Sequence, residues 1–305
     1  MTTTRSSSQV IVVCGPTAAG KTTVGVQLAK AFNGEVISAD SRQFYKEMSV
    51  GTARPTEKEV DDVPHHFVGS HSVASPLTAG EFERQAELVI EEILERGKIP
   101  LVVGGSGLFI KALVEGLDDL PASEELRQEL IEQFEEQGIE SLHDRLAKSD
   151  LDARSQIDFK NPVRVMRAIE LVELSQKPLA EIRATRTHKE RFDPIWIGIN
   201  SPREELYDRI DQRVDQMLEE GLEKEVKSLQ SIQNSDALKT VGYQEFFSYF
   251  NGEYDREEAI RLIKRNSRRY AKRQLTWFTK IEGISWFEAK EVEQIVRHLH
   301  QELKS

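Results

Sequence analysis

Val10 to Cys14 is an apolar run that leads straight into "GPTAAGKTT", Gly15 to Thr23. Of all the stretches in the chain, this one most limits what it can fold into. The run reads as a buried strand. Gly15, Gly20, Lys21 and Thr22 fit the spacing G-x-x-x-x-G-K-[ST], and "KTTVGVQLAKAF" continues as a helix. A strand, a glycine loop and a helix in that order form a cradle whose backbone N–H groups and helix N-terminus attract a polyphosphate. In such a loop Lys21 supplies a point charge and Thr22 a hydroxyl suited to Mg²⁺. A chance glycine loop is the plain alternative, and the strand and helix on either side weigh against it.

The same alternation continues. "EVISAD" reads as a second strand and "TAGEFERQAELVIEEILERG" as a helix, with Thr78 three residues before Glu81 as a capping box and Gly97 as its stop. "IPLVVGG" is a third strand and "SGLFIKALVEG" the next helix. Strands alternating with helices imply a parallel α/β sheet. From Ser123 to about Arg191 only helical periodicity is visible. "PIWIGIN" then returns to strand character, followed by a helix with Ser201 as N-cap, Pro202 at its first position and Gly221 as its stop. A long helix runs from about Asp255 to Ile281, "GISWFEA" suggests a last strand, and "EVEQIVRHLHQEL" a last helix. The expected fold class is α/β: a P-loop NTPase-like parallel sheet core with an inserted all-helical domain. Its boundaries are a first core part at 1–118, the helical insertion at 119–193, and core completion with a basic helix at 194–305.

No apolar run reaches the ~20 residues of a membrane span. "MTTTRSSS" has no apolar core like a signal peptide's and reads as a frayed tail, so a cytoplasmic protein without a membrane partner is expected. Cys14 is the only cysteine of 305 residues, which excludes an internal disulfide or a cysteine-rich zinc site. Cys14 itself is expected in the core strand. The net charge of −11 argues against nucleic acid as a partner, but the charge is unevenly spread. Lys264 to Lys280, "KRNSRRYAKRQLTWFTK", carries only basic charges. Arg268, Arg269, Lys272 and Arg273 recur there at helical spacing, with Tyr270, Trp277 and Phe278 between them. Arginine interleaved with aromatics suits RNA backbone contact and base stacking. A solvated face over a buried aromatic stripe is the competing reading.

Further candidates follow from position. Asp40 sits at the carboxyl end of the second strand, where open α/β sheets bind ligands. It can act there as a base or hold a metal through water, or simply cap a turn. Gln43 can read a base edge, and Ser106 in "GGSG" can bond an anionic oxygen or serve an ordinary turn. Arg209 and Arg213 lie one turn apart beside the apolar stripe Leu206, Ile210, Val214 and Met217, and a salt-bridge ladder with Asp208, Asp211 and Asp215 explains them equally well. Arg164 and Arg167 share a face in "NPVRVMRAIE". His65 and His66 lack a third ligand for zinc and read as structural. The phosphate loop alone does not choose among kinases, GTPases and ATPases, although no N/T-K-x-D motif of a GTPase is present.

Taken in order, "GPTAAGKT", "ISADSRQFY", "GTARPT", "VPHHF", "VVGGSGLFIKAL", "NPVRVMRAIE", "RVDQMLEEGLEKEV", "VGYQEF" and "RRYAKRQLTWF" span nearly the whole chain. In these stretches the sequence resembles the bacterial tRNA dimethylallyltransferase (tRNA isopentenyltransferase) family. It departs where Ser106 stands for the family's usual Thr, Phe109 for a Tyr and Val163 for a Gln, and no Cys/His finger follows the core. The resemblance implies transfer of the dimethylallyl group from dimethylallyl pyrophosphate to N6 of the adenosine 3′ to the anticodon of tRNA, with release of pyrophosphate. It implies a pyrophosphate cradle of Gly15, Pro16, Thr17, Ala18, Ala19, Gly20, Lys21 and Thr22, with Mg²⁺ on Thr22. Asp40 would be the base, with Lys21, Ser106 and Arg213 the other catalytic groups. It places tRNA contacts at Asp40, Ser41, Arg42, Gln43, Ser106, Arg127 and along Val163, Arg164, Val165, Met166 and Arg167, beside the basic helix. A monomer is expected. The alternatives are an adenylate isopentenyltransferase acting on free AMP, ADP or ATP, a P-loop small-molecule kinase, and a non-enzymatic RNA-binding module.

Overall fold

The computed structural model describes residues 8–117, 120–184 and 192–303. Residues 1–7 of the expected tail lie outside the described residues, and Ser8 opens the first strand. The chain divides into two compact units: Met1–Gly116 with Glu190–Ser305, and Leu117–Lys189.

The first unit begins β1 (Ser8–Cys14), α1 (Lys21–Ala31), β2 (Gly34–Ser38), α2 (Glu57–Val60), β3 (His65–His66), α3 (Ala79–Glu95), β4 (Ile99–Gly104) and α4 (Gly107–Glu115). The second unit holds α5 (Glu124–Gln137), α6 (Ile139–Ser149), α7 (Pro162–Ser175) and α8 (Leu179–Ala184). The first unit then resumes with β5 (Phe192–Ile199), α9 (Arg203–Glu219), α10 (Leu222–Ser228), α11 (Tyr243–Phe250), α12 (Arg256–Phe278), β6 (Ser285–Phe287) and α13 (Val292–Glu302). Its strands form one six-stranded sheet in the order β3-β2-β4-β1-β5-β6, and every pair is parallel.

Strand composition explains the sheet. Val10 to Cys14 are fully buried because both faces of β1 are covered, so the apolar run has no polar alternation. Cys14 lies in this core, as expected, and burial pushes its thiol pKa up to about 12. One apolar cluster, built on Val10, Val12, Ile37 and Val102, fills one side of the sheet, and a second, on Ile11, Val13, Val36 and Leu101, fills the other. The second unit has its own core of Leu130, Leu142, Leu146, Val165, Ile169 and Leu171.

Local signals are met at α3, where Thr78 and Glu81 form the capping box. They shift at α9. Pro202, not Ser201, is its N-cap, since Pro202 has extended backbone (ψ 140°) and the helix begins one residue later than expected. The paired histidines have a structural place. They form β3, and His66 Nε2 bonds Glu35 Oε2 at 2.8 Å.

Glu35 is 3% exposed and also accepts from Arg96 Nη2 at 2.8 Å and Lys98 Nζ at 2.9 Å. Burial pushes its pKa up, but bonds from His66, Lys98 and Arg96 outweigh this and hold it near about 2, below the ordinary 4.5. A depressed carboxylate stabilises the fold above its unfolded pKa and loses that contribution as pH falls. Glu35→Gln is therefore expected to cost about 2 kcal/mol at pH 7, allowing for the partly exposed cations. Melting curves of both proteins should converge as pH falls from 4.5 toward 2, and a gap that stays constant would contradict the assignment.

Candidate active site

The carboxyl ends of β1, β2 and β4 meet at one edge of the sheet, so the three turns that follow them are neighbours. The first is the phosphate loop. Gly15 has φ +143°, and a Cβ there would lie 2.1 Å from the Ile199 carbonyl oxygen, so the loop can leave β1 only at a glycine. Ala18 also takes a left-handed φ of 61°. Lys21 opens α1 and donates from Nζ to Pro16 O at 2.7 Å. Burial lowers the Lys21 pKa to about 8, opposed by Asp40 and aided by Arg213.

The second turn carries Asp40, just beyond β2. Its Oδ1 accepts the Arg42 amide at 3.2 Å, an Asx turn that fixes the carboxylate. The third turn carries Ser106. Its Oγ accepts the Ser41 amide at 2.9 Å and donates to Ser41 Oγ at 3.0 Å, tying the β4 turn to the β2 turn.

α9 brings Arg213 over the loop. Its Nη1 donates to Thr17 Oγ1 at 3.3 Å and its Nη2 to Thr52 O at 3.1 Å. Arg209 lines the same cavity as Arg213, Lys21, Thr22 and Asp40, a space of about 340 Å³. The aspartates of α9 do not form a ladder along their own helix. Asp211 takes Arg268 at 2.6 Å and Asp215 takes Lys264 at 2.8 Å, both from α12.

The basic stretch of α12 is therefore divided. Arg268 and Lys264 join α12 to α9, while Arg269, Lys272 and Arg273 are exposed. Arg273 stacks over the Tyr270 ring, and Trp277 is 41% exposed. Burial, reinforced by Asp40, raises the Tyr270 pKa to about 12, so its hydroxyl remains a neutral donor. Ser41, Arg42, Ser106, Tyr270, Arg273 and Trp277 line an open cavity of about 400 Å³.

Other expected contacts take different work. Gln43 is buried, and its amide donates to Thr52 O and Ala53 O, both at 3.2 Å, so it shapes a loop rather than presenting a base-reading edge. Arg42 donates to the carbonyls of Asp236 (3.0 Å) and Ala237 (2.8 Å). In the helical unit Val163 is 68% exposed and Arg164 is exposed, but Val165 is wholly buried and Met166 packs against the core. Val165 is corrected from a contact to a packing residue. Arg167 and Arg127 both pair with the buried Glu170.

Two residues that sequence reasoning missed hold the site together. Gln274, on α12, accepts the Thr17 amide at 2.8 Å and donates to Gly105 O at 3.0 Å, bridging the phosphate loop and the Ser106 turn. A Cβ at Gly105 would sit 2.2 Å from that Gln274 nitrogen, so glycine permits the approach. The signal was available: Ile263, Ala271, Gln274 and Phe278 form the buried stripe of α12. Glu225 accepts the amides of Ser49, Val50 and Gly51 at 2.8 to 2.9 Å and the Tyr243 hydroxyl at 2.6 Å. It fixes the loop whose Thr52 carbonyl orients Arg213.

A third cavity, about 90 Å³, lies between the other two. It shares Thr17, Asp40 and Arg213 with the phosphate-loop cavity and Arg42, Thr240, Val241 and Tyr270 with the open one. Its remaining wall is largely apolar, with Ile210, Val214, Met217, Leu222 and Ile263.

A P-loop cradle with a carboxylate at the neighbouring strand end defines an enzyme that works on a phosphate-bearing substrate. Residues 43–281 match the IPP transferase family. The chain is 50% identical over 296 residues, 97% of either chain, to the tRNA dimethylallyltransferase of Cytophaga hutchinsonii. It is similar to the solved full-length tRNA isopentenylpyrophosphate transferase of Bacillus halodurans, at TM-score 0.73 and 39% identity over 97% of both chains. It is also similar to a eukaryotic dimethylallyltransferase acting on tRNA, at TM-score 0.80 and 28% identity, over 94% of this chain and 75% of that one. The chain belongs to the IPP transferase family, a family of prenyltransferases on the P-loop fold.

Proposed function

We infer that this chain transfers the dimethylallyl group of dimethylallyl pyrophosphate to N6 of the adenosine 3′ to the anticodon of tRNA and releases pyrophosphate. The observation that carries the reading is the small apolar cavity between the phosphate loop and the open, arginine- and tryptophan-rimmed cavity. A phosphoryl transfer has no use for a greasy space between phosphate and acceptor. A five-carbon group in transit does.

The pyrophosphate would lie on the loop amides of Gly15 to Thr22, with Lys21 and Arg213 facing its oxygens. As the allylic C–O bond breaks, the electron pair leaves with pyrophosphate, and these cations offset the charge that develops on it. N6 of the adenosine forms the new C–N bond. The proton lost from N6 goes to the Asp40 carboxylate, which the Asx turn aims into the cavity. Ser106, through its bonds to Ser41, holds that turn in place, and Gln274 keeps it in register with the loop.

Mg²⁺ fits the donors present. Thr22 and Asp40 line one cavity with the loop, and this metal uses one or two protein oxygens, water and substrate phosphates rather than a full protein cage. Among the described residues no cluster of three or more His, Cys, Asp or Glu forms such a cage. Bound there, Mg²⁺ would supply further neutralisation of the leaving pyrophosphate.

The target base must leave the anticodon-loop stack to reach Asp40. Arg269, Lys272, Arg273 and Trp277 on α12 are exposed and suit the RNA around it. The helical unit separately exposes Val163 and Arg164. A tRNA acceptor puts the reaction in the cytoplasm, and no described helix is long and apolar enough to cross a membrane. Incubation with labelled dimethylallyl pyrophosphate, unmodified tRNA, AMP and Mg²⁺ tests the reading. Label is expected in tRNA; label in AMP instead supports an adenylate isopentenyltransferase, and label in neither overturns both.

A further inference from the structure

We propose that the apolar cavity gauges the donor's chain length, with Met217 as the side chain that stops a longer prenyl group. The proposal rests on the prenyl-transfer reading. It commits to a donor of five carbons and to rejection of the ten-carbon homologue.

A dry apolar cavity of about 150 Å³ takes benzene, six carbons, which sets a scale of roughly 25 Å³ per carbon. The cavity here is about 90 Å³, which on that scale takes roughly three to four carbons. A five-carbon group therefore fits only with its pyrophosphate-bearing end in the adjoining phosphate-loop cavity, which shares Thr17, Asp40 and Arg213, and its branched end here. A second five-carbon unit would need about as much space again.

The walls decide whether that space can be found. Ile210, Val214, Leu222 and Ile263 are buried in the packed core, so a longer chain could pass them only by displacing close-packed atoms. Met217 differs. It lies two turns beyond Ile210 on α9, is only partly buried, and packs at the edge of the cluster that holds Val214, Leu222 and Ile263. Shortening it opens the cavity toward solvent without emptying the core behind it.

The experiment compares dimethylallyl and geranyl pyrophosphate as donors to unmodified tRNA, reading the mass of the modified nucleoside. In the unaltered chain, geranyl transfer is expected to be at least about 100-fold less efficient in kcat/KM. Met217→Ala is expected to narrow that ratio to about tenfold or less, through a gain with geranyl pyrophosphate and a modest loss with the shorter donor. Met217→Trp, which fills the space, should raise KM for dimethylallyl pyrophosphate while binding of inorganic pyrophosphate stays the same; this also reports that the loop is folded. Geranyl transfer by the unaltered chain at a rate near that of dimethylallyl transfer overturns the gauge. So does an unchanged donor ratio in Met217→Ala, or an unchanged KM in Met217→Trp. Transfer of neither donor by the unaltered chain overturns prenyl transfer itself, a result distinct from loss of selectivity.

Discussion

Asp40→Asn is expected to lower kcat about a thousandfold while leaving tRNA affinity within a few-fold of the original. Asn keeps the size of Asp and can still accept the Arg42 amide at Oδ1, so the turn should survive. It cannot take the N6 proton. The carboxylate lies in both the loop cavity and the apolar cavity, at the place where the amine and the allylic carbon must meet. Single-turnover rates and filter binding of tRNA, measured on the same variant, separate the two effects. Undiminished turnover removes Asp40 as the base, and lost tRNA binding would make its role one of docking.

The second large effect belongs to Lys21. Lys21→Ala is expected to lower kcat/KM for dimethylallyl pyrophosphate by about 100-fold or more, since a partly buried cation is lost from beside the leaving group. Its pKa of about 8 in the ligand-free protein gives a pH signature. The protonated form attracts the pyrophosphate and the neutral form does not. Affinity for the donor should therefore fall as pH rises through 8, by up to about tenfold per unit until binding itself retains the proton. Calorimetric titration with inorganic pyrophosphate at rising pH measures this. In Lys21→Ala this fall should be lost, leaving only the pH dependence of pyrophosphate's own ionisation; an equal fall there assigns the titration to another group.

Local patterns in the chain were visible in the sequence, and long-range contacts were not. Val10 to Cys14 and the glycine loop declare a buried parallel strand and a cradle because both are local patterns. Thr78 and Glu81 likewise mark a helix start that the structure keeps. The nine family stretches add order along the chain, and the identity to relatives agrees with them.

Long-range pairing was hidden. Lys264 and Arg268 look like part of an unbroken basic face, but their partners, Asp215 and Asp211, lie 49 and 57 residues away. Gln43 resembles a base reader until its amide is found on Thr52 and Ala53. Glu225 carries no local sign of its role, yet it binds three amides of a distant loop. The two-residue strand at His65–His66 and the short helices α10 and α11 are too brief for periodicity to announce. Gln274 was legible in principle, as a polar residue on the apolar stripe of a helix whose outer face is rich in arginine.

The central claim is that a triphosphate-type loop here releases pyrophosphate from an allylic carbon. The most direct measurement is stoichiometry. Unmodified tRNA is incubated with the protein, Mg²⁺ and either dimethylallyl pyrophosphate or ATP labelled at the γ-phosphate, and released pyrophosphate is counted against label in the RNA. The account predicts one pyrophosphate released for each prenylated tRNA with the first donor, and no label transferred with the second. γ-Phosphoryl transfer from ATP without a prenylated product would contradict it.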